Sequence, residues 1–293
     1  MINKLKNDSR SKLATRWQAI SNSSHPLRVL AENVSQVARD AFNESKQLTV
    51  ERQQIWLNRL PAQFDGWRVV LLSDIHHSPL TDAEQIEKTV KITNSLRPDI
   101  IVLTGDYVTH EVEYIAPVAE MLGKLQALHG VYAVLGNHDH WTDAAMVTDL
   151  FRANQIPVLI NEGFRFELNG ASVWLCGVDD MMVGLADLDL ALSGSRADEF
   201  KFLLCHNPSI LRLAERKGVD FIVSGHTHGG QIRLIKDADD LLLPRTRRAS
   251  GLLKRRNTQV YISRGIGTVV LPIRYQCPPE ITLLELRSGK TAF

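Results

Sequence analysis

Five short apolar runs, each closed by a cluster of Asp, Asn or His, constrain this chain's fold more than any other feature of it. Residues 68–73 run into Ser73-Asp74-Ile75-His76, and 99–104 into Gly105-Asp106. Residues 131–135 run into Gly136-Asn137-His138-Asp139, 201–205 into His206-Asn207-Pro208, and 221–224 into Gly225-His226-Thr227-His228. Apolar runs this short, bounded by polar clusters, read as buried strands. Between and around them, helical periodicity fills 82–96, 112–128, 143–153, 185–192 and 209–217. Strands alternating with helices imply βαβ units and parallel pairing. Parallel strands deliver their following loops to one edge, which is where α/β sheets gather ligands. Further runs at 157–160, 164–168, 172–176, 231–235, 259–263 and 281–286 read as hairpins closing a second sheet. The expected class is therefore α/β.

Composition narrows the function. The 293 residues are 44% hydrophobic and 23% charged, which excludes collagen, coiled coil and wholly disordered chains. A net charge of +1 excludes a polybasic protein that coats nucleic acid. No run approaches the ~18 apolar residues of a membrane span, and the first residues lack an apolar export core. Cys176, Cys205 and Cys277 are an odd number without zinc-type spacing, so no disulfide framework is expected. The expected location is cytoplasmic, with peripheral contact on the membrane's cytoplasmic face.

The polar clusters suit metal chemistry. Asp74 and His76 stand two apart, as do His226 and His228, so each pair shares a face on extended chain. Imidazole, carboxylate and amide oxygen together match borderline divalent ions such as Mn²⁺, Fe²⁺ or Zn²⁺. The candidates outnumber what one ion with an open position accepts. Two ions about 4 Å apart, bridged by a carboxylate, form the clamp used in phosphoryl displacement.

In order and context these motifs resemble the calcineurin-like metallophosphoesterase superfamily. The continuation Gly229-Gly230-Gln231, Ser263-Arg264-Gly265-Ile266-Gly267, Pro272-Ile273-Arg274 and Pro278-Pro279-Glu280-Ile281 resembles its bacterial, often membrane-associated phosphodiesterase branch. That branch includes UDP-2,3-diacylglucosamine pyrophosphatases of lipid A synthesis. The resemblance covers about residues 66–287. It implies a four-layer α/β/β/α sandwich of two mixed sheets. It also implies a pair of divalent ions, Mn²⁺ foremost, with Asp74, His76 and His228 on the first, Asn137, His206 and His226 on the second, and Asp106 bridging. His138 would protonate the leaving oxygen or stabilise phosphoryl charge, Asp139 would orient it, and a metal-bound hydroxide would attack phosphorus. Many members of the branch begin with a membrane span or export signal; neither is legible here, so their location does not transfer.

The implied substrate is a phosphodiester or pyrophosphate, lipid-linked by preference. The alternatives are a soluble phosphodiesterase acting on nucleotides or nucleic acid, and a catalytically silent scaffold. Near-neutral charge disfavours extended nucleic acid, and retention of His138 with every ligand disfavours the scaffold. Arg264 and Arg274 are candidates to fork onto a phosphate. His77 and His140 flank motif residues and are candidates for substrate contact. Trp141, Met181, Met182, Leu185 and Leu188 would line an acyl groove or pack in a core, and core packing is the expectation.

Residues 1–62 read as a helical extension on a catalytic domain of 63–293. The first 60 residues hold ten Lys/Arg and five Asp/Glu, a balance of 10 − 5 = +5. Ile2, Leu5, Leu13, Trp17 and Ile20 share one helical face, and Leu27, Leu30, Val34, Val37 and Ala41 another. The extension therefore reads as an anchor on anionic membrane or a cover for the domain. A second basic stretch, 245–256, has six Lys/Arg and no acid, and is a candidate for lipid or substrate contact. The sequence leaves the oligomeric state open.

Overall fold

The computed structural model describes residues 26–233 and 249–289. Among the described residues, eleven strands are arranged in two sheets. The first has the order β1 (Thr49–Leu57), β11 (Glu280–Ser288), β2 (Trp67–Leu72), β3 (Ile100–Thr104), β4 (Val131–Val134). The second runs β5 (Glu162–Leu168), β6 (Ala171–Gly177), β7 (Phe200–Leu204), β8 (Phe221–Ser224), β10 (Thr258–Ile262), β9 (Gly251–Arg255). Strands β2, β3 and β4 are parallel, as are β6, β7, β8 and β10, while the flanking pairs β11–β2, β5–β6 and β10–β9 are antiparallel.

Alternation of side chains across each strand builds the layers. In β2, Val70 and Leu72 face helices α2 (Ala83–Ser95), α3 (Ile115–Leu122) and α5 (Ala144–Ala153), which follow α1 (Pro26–Glu44) and flank the short α4 (Asn137–Thr142). Val69 and Leu71 face the other way, into an apolar layer shared with Phe202, Leu204, Phe221 and Val223 of the second sheet. Leu203 and Cys205 point outward again, under α6 (Leu188–Ala191) and α7 (Leu211–Arg216). Three apolar layers between four layers of secondary structure give the α/β/β/α sandwich.

Several expectations change. Residues 49–57 lie in the supposed helical extension but form β1, in register with β11 from Thr49↔Glu280 to Leu57↔Ser288. Its run Glu51-Arg52-Gln53-Gln54 hides the strand, because an edge strand with a solvated middle needs no apolar alternation. A boundary at 62 therefore cuts through the sheet. The run 281–286 does not close the second sheet but lies inside the first, between β1 and β2. Residues 157–160 make a single bridge, Val158 to Ala133, beside a proline that has no N–H to donate. At 231–235, Ile232 bridges Tyr275 and residues 234 and 235 lie outside the described residues. The apolar face drawn through Ile2 to Ile20 also lies outside them. Among the described residues, no helix is long and apolar enough to cross a membrane.

Candidate metal centre

The loops after β2, β3, β4, β7 and β8 meet at one edge of the sandwich. They do so on strained backbone: Asp74, His76, Asp106, His226 and His228 have φ of 50°, 48°, 58°, 72° and 51°. Non-glycine residues in this left-handed region each cost on the order of 1 kcal/mol or more, and clusters of them mark functional sites. Neighbouring loops hold the turns. Asp74 N–H donates to Gly105 O at 3.0 Å, and His76 N–H to Asp106 O at 3.0 Å. Gly225 is glycine because the loops touch: a Cβ there would collide with Ser73 Oγ and Asp74 Oδ2.

Two groups of donor atoms converge. In one, His76 Nε2 lies 3.1 Å from His228 Nε2, and His228 Nε2 lies 3.4 Å from Asp74 Oδ1. In the other, His226 Nδ1 lies 3.1 Å from both Asn137 Oδ1 and His206 Nε2. Between them sits Asp106, whose Oδ2 is 3.6 Å from His76 Nε2 and 3.1 Å from His206 Nε2. All seven side chains that the motifs nominated are thus brought together.

The electrostatics fit cation binding. Burial pulls His76 down to about 3, and burial with the charge of Arg274 pulls His228 down to about 3. Both are neutral imidazoles near pH 7, the state that ligates metal. Burial also lowers His226. For His206 burial acts downward, but the charge and hydrogen bond of Asp106 push it up to about 10. His206 Nδ1–H is fixed on Thr104 O at 2.7 Å, so its Nε2 is the atom that faces Asp106. Opposite it, burial raises Asp106 while His206, His76 and His138 hold it well below the ordinary carboxylate range. Imidazole nitrogens packed against one another and a carboxylate fit divalent cations, which take the place of the intervening protons. Asp74, His76 and His228 could hold one cation, and Asn137, His206 and His226 another, with Asp106 reaching both.

His138 stands at the mouth. Its N–H donates to Asp106 Oδ1 at 2.9 Å and its Nδ1–H to Thr109 O at 2.8 Å. The ring lies edge-on to His76 and Trp141, both at 4.8 Å between centroids. Asp139 does not orient this ring. Its buried carboxylate accepts from the backbone N–H of Asp106 (2.8 Å), Gly136 (2.9 Å) and Tyr107 (2.8 Å), tying two site loops together. Burial and the neighbouring Asp106 raise it to about 7. The orienting group is a main-chain carbonyl, which no side-chain pattern reveals.

The candidate substrate contacts all have protein partners. Arg274 is fully buried, its guanidinium spent on the carbonyls of Arg264, Gly265, Gly267 and Cys277. Arg264 pairs with Glu280 at 3.1 Å and Glu51 at 3.7 Å. His77 is buried with Nδ1 on Thr81 O at 2.9 Å. His140 lies near the site, but its Nε2 meets Asp179 Oδ1 at 2.6 Å. Asp179 and Asp180 follow β6 as the other clusters follow their strands, so the same pattern could have singled them out. Of the basic stretch 245–256, Arg245, Arg247 and Arg248 lie outside the described residues. Arg255 and Arg256 pair with Glu215, and Arg255 also lines a cavity that His226 borders. Core packing holds for Leu188, whereas Trp141, Met182 and Leu185 are exposed.

Comparison with known proteins agrees with this geometry. The family model described as calcineurin-like phosphoesterase matches residues 68–230, from β2 to the end of the His226–His228 turn. A cattle protein, "Transmembrane protein with metallophosphoesterase domain", is 32% identical over 85% of this chain and 59% of its own length. The metallophosphoesterase YkuE of Bacillus subtilis is 32% identical over 78% of this chain and 82% of that protein. A dimetal phosphatase from Danio rerio shares 12% identity at a TM-score of 0.46, over 71% of this chain and 90% of that one. The chain thus spans little more than half of the cattle relative. With every motif of the site inside the matched span, the chain belongs to the calcineurin-like phosphoesterase family.

Proposed function

We propose that this chain hydrolyses a phosphodiester or pyrophosphate, lipid-linked by preference, using a pair of divalent cations. Mn²⁺ is the foremost candidate, since mixed imidazole, carboxylate and amide donors suit it, with Fe²⁺ and Zn²⁺ as alternatives. The observation that carries the reading is the single oxygen of Asp106 facing the two donor groups, 3.6 Å from His76 and 3.1 Å from His206. Divalent cations there supply positive charge against the phosphoryl oxygens and a water of lowered pKa.

The chain's own residues set the remaining roles. Asp74, His76 and His228 would hold one cation and Asn137, His206 and His226 the other, with Asp106 placed to serve both. Asp139 keeps the loops after β3 and β4 at a fixed separation through its three N–H bonds. His138 is the proton donor. With Nδ1–H committed to Thr109 O, Nε2 is the ring atom left to pass a proton to the leaving oxygen. Because the donor ring packs against exposed Trp141, a leaving group with an apolar body can lie beside it. That contact supports the lipid-linked preference.

The test is hydrolysis of a panel by protein stripped with chelator and reloaded with Mn²⁺. The panel comprises UDP-2,3-diacylglucosamine, a glycerophosphodiester, cyclic nucleotides and a small chromogenic diester. Metal-dependent cleavage that favours the lipid members supports the reading. A preference for cyclic nucleotides replaces the lipid part with the soluble alternative, and no turnover of any diester contradicts the whole.

A further inference from the structure

Large apolar side chains are exposed unevenly on this molecule. Leu80, Trp141, Met182, Leu185, Val270 and Leu271 are 40%, 52%, 53%, 53%, 85% and 48% exposed. They stand in the segments that follow β2, β4, β6 and β10, Trp141 in the short helix α4 and the others in loops, and the parallel pairing of those strands sends these segments to the edge that carries the metal centre. By contrast, Leu128 is the one such side chain, among the described residues, in a loop entering a site strand from the opposite edge. Exposed apolar residues scattered singly are ordinary, but this many around one mouth form a patch that marks an interaction surface.

Helix α1 is rooted at the same edge. Arg274 N–H donates to Ala41 O at 2.9 Å, and Glu44 accepts from the N–H of Gln276 and Cys277, in the loop that also bears Val270 and Leu271. Beyond that root, every residue from 32 to 40 is exposed, including Val34 and Val37 on the apolar stripe. Among the described residues nothing covers this stripe, and an amphipathic helix draws most of its stability from burying its apolar face. The 25 residues before α1 lie outside the described residues, and their sequence holds five Lys/Arg against the single acid Asp8.

We propose that the metal-centre edge is a membrane-docking face, with α1 and the loop tips seated in the headgroup region of an anionic bilayer. This rests on the lipid-linked reading of the site and deepens it, because the catalytic mouth then opens onto the lipid. The observations favour a bilayer over a protein. The apolar side chains come from separate loop tips and partition one by one, needing no complementary surface. The basic charge preceding α1 complements anionic lipid. A second copy seated on this face would set two catalytic mouths against each other and close both.

The experiment is co-sedimentation of the full chain with vesicles of phosphatidylcholine, alone or mixed with phosphatidylglycerol, at low and high salt. Wild-type protein binds the mixed vesicles at low salt and releases as salt rises. The double variants Met182→Glu/Leu185→Glu and Val270→Glu/Leu271→Glu each bind about tenfold more weakly or worse. Both keep wild-type turnover of a small soluble diester, which shows that they fold. Absence of vesicle binding by the wild type overturns the proposal. So does undiminished binding by the combined quadruple variant, which would leave the contact to residues 1–25 alone. A concentration-dependent dimer abolished by these substitutions would replace the bilayer with a second copy. Hydrolysis of a detergent-dispersed lipid diester is measured separately. If binding behaves as stated but that diester is not cleaved, docking stands and the lipid-linked substrate falls.

Discussion

The backbone N–H of His138 donates to Oδ1 of Asp106 at 2.9 Å, while the other oxygen of the same carboxylate faces His76 and His206. The proposed proton donor and the residue proposed to reach both cation positions are therefore fixed to each other through one carboxyl group. The position of His138 at the mouth then depends on the turn at Asp106, which sits at φ 58°.

This arrangement separates proton transfer from metal binding. His138→Ala should retain the cation content of the wild type and lose ~10²–10⁴ in rate, the usual scale for a general acid. The loss should shrink when nitrophenolate is the leaving group, since it needs no proton. Metal analysis beside a leaving-group series checks this, and an equal loss across the series would assign His138 to charge stabilisation instead.

The ion pair of His140 with Asp179 joins α4 to the loop after β6, and with it the segment bearing Asn137 and His138. The hydrogen bond to Asp179 raises His140 above its ordinary 6.5, against the opposing effect of burial. For a histidine raised on folding, the stability it contributes is fully present below its unfolded pKa of 6.5 and is lost as pH rises through the folded value. The melting temperature of wild type minus that of His140→Gln should therefore be largest on the acidic side of 6.5 and shrink at alkaline pH. A difference that grows with pH would contradict the pairing.

Close contact of the loops at Gly225 makes a steric prediction. In Gly225→Ala the new Cβ meets Ser73 Oγ and Asp74 Oδ2, so the Asp74 turn must move. Overpacking of this kind costs about 1–3 kcal/mol. Urea denaturation measures that cost, and the cation content should fall with it, because Asp74 is a proposed ligand. Unchanged stability with full cation content would show that the loops have slack.

Much of this was legible because strand periodicity and metal chemistry both leave side-chain signatures. The runs ending at Ser73, Thr104, Leu135, Cys205 and Ser224 revealed the parallel strands, and the donors after them revealed the centre. What stayed hidden depends on the main chain or on distant partners. Thr109 orients His138 through a carbonyl, a group that every residue carries. The strand at Thr49–Leu57 is held by register with β11, not by an apolar pattern of its own. Arg264 and Arg274 resemble phosphate binders in sequence, yet buried carbonyls and Glu280 occupy them. A guanidinium's partners are set by tertiary neighbours, which spacing does not encode.

Asp106 is the proposed link between the two cation positions, with Oδ2 facing both donor groups. Elemental analysis of wild type and Asp106→Asn, alongside turnover of a soluble diester, tests that link directly. Replacing the shared carboxylate by an amide removes the negative charge that faces both cations. The wild type should carry two divalent ions per chain, and the variant should lose both while its turnover falls by orders of magnitude. A variant that keeps both ions and ordinary turnover would contradict that link.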